Sequence, residues 1–229
     1  LLRLNQLFAP YDKNDYGIPF NFDADIVQGG KRWKQTDLYQ KLIGEIMDVL
    51  EYETVPEDSW NIFFNKRIMY AILAQTYQFK AGSCAAEEDD WSKAEFYAKE
   101  ARNGARVEST IDEQAELTTV PLTKSTTKPH RFALLRFSLY AYGGNDYAPW
   151  GKPEQMLVQC PSSELYNLYD ENDIRREVYF KEIDGKLYVT KWQCTDEHDV
   201  NDVHILFRFS DLLLIEAEAL ARQGKDGAL

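Results

Sequence analysis

The sequence predicts a mainly α-helical protein: a scaffold of helical hairpins, of the α-solenoid type, with an inserted region of loops and a β-hairpin. Three stretches carry this prediction. Residues 65–105 have the pattern of two helices joined by a loop, residues 207–229 begin a second such hairpin, and between 107 and 201 the helical period fades. Two hairpins far apart in sequence are typical of a repeat scaffold, and they argue against an enzyme barrel.

The stretch 65–105 has the composition of two helices in close contact. A first helix is predicted over 67–79, a loop over 82–90 and a returning helix over 91–105. Small side chains recur at helical spacing on both helices, which lets two backbones approach closely. They are Ala71 and Ala74 on the first helix, and Ala94, Ala98 and Ala101 on the second. The spacing loosely matches a tetratricopeptide-like repeat, with a longer loop than such repeats normally carry.

The stretch 207–229 is the clearest helical signal in the chain. Leu212 and Ile215 follow helical spacing, and Gly224 supplies a stop signal. A further alanine-rich run begins at the very end of the sequence. We therefore interpret 207–229 as the start of a further helical hairpin. We expect 1–229 to be one domain that is incomplete at both ends, because a solenoid needs polar capping units.

The stretch 36–105 is predicted as the helical hairpin part of this domain. Its first helix is expected to run from Thr36, taken as the N-cap, to about Tyr52. Apolar residues recur on one face of this helix. They are Leu38, Tyr39, Leu42, Ile43, Ile46, Met47 and Leu50. Ahead of the helix, residues 18–20 are predicted to form a short extended segment.

The stretch 107–201 is predicted as an insertion of loops and short strands mounted on the scaffold. Its apolar segment 132–142 is typical of a strand. A short helix capped by Ser162 or Ser163 is expected further along. A β-hairpin is then predicted, because a two-residue Asp-Gly turn joins two segments of strand composition. The segments are 178–183 and 186–192, joined by Asp184 and Gly185.

The chain is acidic, since 38 Asp and Glu against 26 Lys and Arg leave a net charge of −12. Nucleic acid and anionic membranes repel such a surface, so neither is an expected partner. No run approaches the ~20 apolar residues of a membrane-spanning helix. Cys84, Cys160 and Cys194 are an odd number without CxxC spacing, which fits neither a disulfide framework nor a zinc ribbon. One disulfide bridge between two of these cysteines stays an open alternative.

A turn-rich aromatic loop supplies the strongest candidate binding site. Sugar rings stack their C–H faces on aromatic rings, and their hydroxyl groups need polar partners such as Asn and Asp. The candidate carbohydrate contacts are Tyr142, Asn145, Asp146, Tyr147 and Trp150. Under the alternative, Tyr140 and Tyr142 close a strand and pack inward while Trp150 covers the base of the loop. Trp33 is a weaker second candidate, for which anchoring of the next helix is favoured.

No motif in the sequence predicts a metal, a cofactor or catalysis. The acidic run 170–173 lacks the spacing of a calcium loop, and capping of a helix that begins at Ile174 explains it better. His130, His198 and His204 form no HExxH motif. The sequence contains no nucleophile elbow, P-loop or dinucleotide-binding motif. The carboxylate pair of a glycoside hydrolase has no fixed spacing, so that enzyme class stays open as a rival.

Five segments, in order along the chain, resemble blocks of the SusD/RagB family. The resemblance covers nearly the whole chain and corresponds to the middle of such a protein. The segments include Thr36-Asp37-Leu38-Tyr39 and the run that starts Arg208-Phe209-Ser210-Asp211. In full they span 2–19, 36–39, 65–94, 161–176 and 208–219.

The resemblance implies a nutrient-binding lipoprotein at the extracellular face of a Bacteroidetes-type outer membrane, with its lipid anchor outside this chain. Such a protein captures an oligosaccharide or polysaccharide and delivers it to a SusC-like TonB-dependent transporter. It is not an enzyme, and no cofactor is implied. The alternatives are a peptide-binding RagB-like member of the same family and an unrelated helical-repeat protein–protein adaptor.

Overall fold

The computed structural model describes residues 15–19, 32–52, 65–110, 112–113, 133–140, 160–189 and 201–225. These residues form six helices and six short strands. In chain order they are β1 (Tyr16–Pro19), β2 (Arg32–Lys34), α1 (Gln35–Leu50), α2 (Lys66–Ala81), α3 (Asp90–Arg102), β3 (Ala133–Tyr140), α4 (Ser163–Asn167), α5 (Ile174–Tyr179), β4 (Phe180–Ile183), β5 (Lys186–Val189), β6 (Asn201–Arg208) and α6 (Phe209–Arg222).

The chain folds as two compact units. The first contains Leu1–Glu57, Phe64–Gly104 and Asp211–Leu229, and therefore α1, α2, α3 and most of α6. The second contains Asp58–Phe63 and Ala105–Ser210, and therefore all four strands from β3 to β6 and the short helices α4 and α5. The domain boundaries predicted from the sequence remain predictions. In the part of the chain that the structure describes, no helix combines the length and the apolarity needed to cross a membrane.

Helices α2 and α3 form the predicted hairpin, and alanine fills the seam between them. Ala71, Ala74, Ala94, Ala98 and Ala101 are each 0% exposed. The side chain of Asn65 caps α2 by accepting from the Ile68 N–H at 3.1 Å. At the same end of the pair, Arg67 donates to the carbonyls of Ala101 and Arg102 at 2.9 and 2.8 Å, which satisfies the last turn of α3. These contacts confirm an antiparallel pair of closely packed helices.

The loop between α2 and α3 is held by a buried lysine. Lys80 is 4% exposed and Asp90 is 0% exposed. The Lys80 ammonium donates to both carboxylate oxygens of Asp90, at 2.8 and 2.9 Å, and to Glu87 at 2.8 Å. The Glu87 N–H in turn donates to Asp90 at 2.7 Å. Because a buried charge is costly without a partner, this network ties the loop to both helices.

Helix α1 begins one residue before the predicted cap. Lys34 is the N-cap residue, and its extended backbone continues β2 straight into the helix without a side-chain cap bond. The prediction of Thr36 as N-cap is therefore wrong. The Gln35 N–H donates to the Asp15 carbonyl at 2.8 Å instead, so a tertiary contact replaces the cap. The predicted apolar face is buried at Leu38, Tyr39 and Ile46, while Met47 is 43% exposed.

Helix α6 packs within the first unit through polar contacts that surround a buried stripe of Leu212, Ile215 and Ala219. Gln78 and Arg102 of the hairpin donate to Glu218 and Glu216, at 2.7 and 2.9 Å. Gly224 has a φ of 66°, which confirms the predicted stop because glycine adopts this left-handed conformation without strain. The helix itself begins at Phe209, because residues before it belong to a strand.

That strand, β6, pairs antiparallel with β3 in the second unit, with Phe137 opposite His204 and Tyr140 opposite Asn201. The sequence predicted β3 as a strand, and it assigned part of β6 to the helical run from 207. The β4–β5 hairpin is confirmed. Its turn residues Asp184 and Gly185 have φ values of 50° and 72°, which the twist of a two-residue hairpin requires.

Candidate functional site

The residues predicted to contact carbohydrate lie outside the residues that the structure describes. They are Tyr142, Asn145, Asp146, Tyr147 and Trp150. The described chain stops just before them, at Tyr140, where β3 ends. Their role therefore stays a prediction, and a candidate site among the described residues has to be sought elsewhere.

A groove of about 410 Å³ lies along the exposed face of α1. Its volume falls within the ~300–1,000 Å³ of small-molecule binding sites. Among the described residues, the groove has one aromatic wall, Trp33, and the rest of its lining comes from α1. The described lining residues are Trp33, Asp37, Gln40, Lys41, Gly44, Glu45 and Asp48. The six α1 residues recur three or four positions apart, so one face of a single helix supplies most of the described lining.

The sheet of β1 and β2 holds Trp33 beside the helix. Trp33 is the middle residue of β2, which pairs antiparallel with β1 and continues directly into α1. Its neighbour Arg32 donates to the carbonyls of Gly17 and Tyr16, at 2.9 and 3.0 Å. The Trp33 side chain is half-buried. The sequence analysis favoured an anchoring role for Trp33, and the structure adds that this ring also forms the wall of the groove.

Gly44 lies in the groove, in the interior of α1. Apart from the backbone of α1 itself, a Cβ atom built on Gly44 meets no atom of the described residues within 4 Å. Its backbone φ is not among the positive values found in the described residues. A glycine in a helix interior costs about 1 kcal/mol relative to alanine. Neither packing nor backbone conformation explains why this position carries glycine.

The groove is acidic and rich in hydrogen-bonding groups. Asp37, Glu45 and Asp48 contribute three carboxylates against the one ammonium of Lys41, which pairs with Glu45 at 3.0 Å. Gln40 adds both a donor and an acceptor. A flat ring beside several exposed acceptors suits a ligand that has apolar faces and many hydroxyl groups.

An aromatic cluster on the α2–α3 hairpin is a packing feature. Tyr97 stacks on Tyr77 with ring centroids 5.7 Å apart, and Phe96 and Tyr70 contact its other sides. Lys93 lies over the Tyr77 ring at 5.3 Å. Burial raises the pKa of both Tyr77 and Tyr97 above the ordinary tyrosine value. The tyrosine rings thus contact one another and the ammonium groups of Lys66 and Lys93, while Phe96 is 54% exposed.

A second aromatic cluster lies in the second unit, around Phe180. Tyr166 and Tyr169 contact this ring edge-on, at 5.3 and 5.2 Å. Arg176 lies 4.2 Å over Tyr166, and Arg175 lies 5.1 Å over Tyr169. Cation–π contacts of this kind stabilise the packing of these rings around Phe180.

The acidic turn at 170–173 is a helix cap, as predicted. Asp173 accepts the Arg175 N–H at 2.9 Å at the start of α5, and Ser162 caps α4 in the same way. The Arg175 side chain also donates to Asp173, which lowers the pKa of that carboxyl below its ordinary value. Asp170 accepts the N–H of Asn172 at 2.9 Å. These bonds account for the acidic residues without a cation.

One group of carboxylates among the described residues converges closely. Glu87, Asp89 and Asp90 bring their oxygens within 4.8 Å of one another. The Lys80 ammonium already lies among them, bonded to Glu87 and Asp90. This cluster therefore belongs to the hairpin loop. Of the three histidines, which form no zinc motif in the sequence, His130 and His198 lie outside the described residues.

Apart from Trp33, the residues of the α1 groove were not predicted from the sequence. The signal that could have found it is a glycine in the middle of a predicted helix, on the face opposite the apolar stripe. Of the tryptophans outside the candidate sites, only Trp91 is among the described residues. Trp91 lies in the first turn of α3 and is half-buried, with Arg222 at 5.5 Å over its ring. Trp60 and Trp192 lie outside the described residues.

Comparison with solved structures identifies the fold. The chain superimposes on a SusD-like carbohydrate-binding protein from Bacteroides vulgatus with a TM-score of 0.61 and 14% identity, covering 92% of this chain and 45% of that one. A SusD superfamily protein from Bacteroides thetaiotaomicron gives 0.64 and 17%, covering 93% and 49%. The surface glycan-binding protein A from Bacteroides uniformis gives 0.57 and 16%, covering 92% and 50%.

These likenesses confirm the predicted SusD-like fold, a mainly helical scaffold with small strand pairs. The chain spans about half the length of the proteins it matches. No protein-family model matches the sequence, and a search of curated proteins found no match.

Proposed function

We propose that this protein binds carbohydrate at the cell surface, captures an oligosaccharide or polysaccharide and delivers it to a TonB-dependent outer-membrane transporter. The observation that carries the proposal is the shared fold: two of the solved structures with this fold are described as carbohydrate- or glycan-binding proteins. Under this proposal the protein is a binding protein and not an enzyme, and it stays at the extracellular face of the outer membrane through a lipid anchor.

The composition of the chain supports a carbohydrate ligand. Aromatic residues make up 14% of the sequence, including 14 Tyr and 5 Trp. We propose that the loop after β3 presents Tyr147 and Trp150 as stacking rings, with Tyr142 beside them and Asn145 and Asp146 as partners for sugar hydroxyl groups. A rigid helical scaffold keeps the entropic cost of ordering such a site low.

A polysaccharide-containing native gel tests the proposal. The complete protein should be retarded by at least one polysaccharide in a broad panel, and the Trp150→Ala variant should be retarded less. Tyr52→Ala is the matched control, since Tyr52 is an aromatic residue that is 73% exposed and has no proposed ligand role. If no glycan retards the protein and it binds peptides instead, the RagB-like alternative replaces this proposal.

Two further measurements address the partner and the absence of catalysis. Affinity purification from detergent-solubilised outer membranes should recover a SusC-like transporter together with the protein. Incubation with a bound polysaccharide should release no reducing sugar. Release that a single Asp or Glu substitution abolishes would instead establish a glycoside hydrolase.

A further inference from the structure

We propose that the groove along α1 is a separate saccharide subsite, which binds a short stretch of a neutral glycan chain between the Trp33 ring and the exposed helix face at Gly44. This inference rests on the proposed function, carbohydrate binding. It assigns a role to residues that lie outside the aromatic loop at 142–150.

Trp33 supplies the stacking surface. A tryptophan face is the largest flat apolar surface that a protein side chain offers to the C–H face of a sugar ring. Trp33 is placed by backbone pairing of β2 with β1, and by the two bonds from Arg32 to the Tyr16 and Gly17 carbonyls. A ring positioned by the backbone loses little conformational freedom when a ligand binds.

Gly44 supplies the room. Glycine in a helix interior is unfavourable, and it is used where another group must approach the backbone closely. Among the described residues, and apart from the backbone of α1 itself, no atom lies within 4 Å of the missing Cβ, so no described neighbour requires the glycine. A ligand lying on the helix backbone would require it. The one position on α1 without a side chain is therefore found inside the groove, next to the helix residues that could bond a ligand.

The chemistry of the lining selects the class of ligand. Among the described lining residues three carboxylates outnumber one ammonium, and this net negative charge repels phosphorylated, sulfated or uronic-acid chains. The carboxylates do not converge as a metal site would, since among the described residues only Glu87, Asp89 and Asp90 form such a group. Asp37 and Asp48 lie ~16 Å apart along the helix axis, so acceptors are spread along the groove. This distribution fits the successive hydroxyl groups of a neutral oligosaccharide.

The test uses the complete protein and a glycan that retards it in the native gel, with affinity measured by titration calorimetry on the matching oligosaccharide. Gly44→Gln is the decisive variant, because glutamine favours the helix over glycine and fills the groove. We expect its affinity to fall at least ~tenfold while the melting temperature does not fall. Trp33→Ala should weaken binding about tenfold, and Trp33→Phe, which keeps a ring, should weaken it less.

Thr36→Gln is the matched control. It adds the same side chain at an exposed position on α1 that does not line the groove, and it should leave the affinity unchanged. If Gly44→Gln and Trp33→Ala bind as the wild type does, while Trp150→Ala binds more weakly, the subsite is disproved and the proposed function stands. If the wild type binds no glycan of the panel, both are disproved. Equal affinity for an anionic analogue of the same chain also overturns the assignment to neutral glycans.

Discussion

The α2–α3 hairpin and helix α1 belong to the same compact unit, yet they use space in opposite ways. The hairpin has a tightly packed seam, in which Ala94, Ala98 and other alanines are 0% exposed. Helix α1 leaves a groove on its exposed face, where no described atom outside the α1 backbone lies within 4 Å of the place that a Cβ atom on Gly44 would occupy. A packed seam is typical of residues that maintain a scaffold, while open space beside an aromatic ring is typical of residues that meet a ligand.

The ion pairs of the two regions differ in the same sense. In the hairpin, Lys80 and Asp90 are almost fully buried and bonded to each other at 2.8 Å. On α1, Lys41 and Glu45 form an exposed pair at 3.0 Å, with side chains 45% and 48% exposed. Solvent screens the exposed pair, whereas the buried pair leaves an uncompensated charge when one partner is removed. Substitutions at four positions test this contrast.

The largest effect is expected for Lys80→Met. The substitution leaves the Asp90 carboxylate buried without its cation, which costs about 3–5 kcal/mol of unfolding free energy. The matched control Lys41→Met removes a cation from the exposed pair on α1 and should cost less than about 0.5 kcal/mol. Urea-induced unfolding followed by circular dichroism measures both. Equal losses in the two variants would show that burial of the hairpin pair has no energetic consequence.

The next effect is expected at the alanine seam. Ala98→Leu forces three additional carbon atoms between two helices that are already in contact, and should destabilise the fold by about 1–3 kcal/mol. Thermal unfolding reports the loss as a lower melting temperature. Ala98→Gly would also lower the melting temperature, through helix propensity and the loss of a buried methyl group. A leucine variant that keeps the melting temperature of the wild type would show that the seam is not as tight as described.

A smaller effect of opposite sign is expected at Gly44. Gly44→Ala places a methyl group in open space and improves helix propensity, so the unfolding free energy should rise by about 1 kcal/mol. The same denaturant titration measures it. A loss of stability would mean that the space beside Gly44 is filled in the folded protein, and it would remove the basis for the groove.

An effect of similar size, which depends on pH, is expected at Glu95. Bonds donated by Lys99, Lys225 and Gln223 hold the pKa of Glu95 at about 2, below its ordinary value of 4.5. Because the folded-state pKa is the lower one, this carboxylate stabilises the fold above pH 4.5, and its contribution is lost as the pH falls towards 2. Glu95→Gln should lower the unfolding free energy at pH 7 by about 1 kcal/mol. In this variant the unfolding free energy should also fall less steeply as the pH is lowered from 4.5 towards 2. Denaturant titrations at several pH values measure both effects. Glu45→Gln, at the exposed pair of α1, is the control and should change the stability at pH 7 by less than about 0.5 kcal/mol.

Local sequence patterns predicted the helical part of the fold well. The alanine spacing at 94, 98 and 101 predicted the hairpin, because residues three or four apart share a helix face whatever surrounds the helix. Asp184-Gly185 predicted the hairpin turn, since few residue pairs adopt two successive positive φ values. The caps at Ser162 and Asp173 are likewise local, because each side chain bonds a backbone N–H two or three residues away.

Contacts between distant residues were not predicted. The pairing of β3 with β6 joins segments more than sixty residues apart. The composition of 201–208 does not identify β3 as the strand with which it pairs. The start of α1 was misplaced because the Asp15 carbonyl, twenty residues earlier, serves as the acceptor at Gln35. The candidate site at 142–150 lies outside the described residues and stays a prediction, and the groove was missed because it forms only when β2 brings Trp33 to the helix.

The sequence by itself determined which segments become helices and hairpins, because periodicity and turn chemistry act through neighbours along the chain. Tertiary structure alone decided where β3 finds its partner, how Lys80 becomes buried against Asp90, and that Trp33 forms a wall beside Gly44. Each of these depends on closing a chain loop at an entropic cost that only the assembled core compensates. No local sequence pattern identifies the residue that each segment contacts in the folded protein.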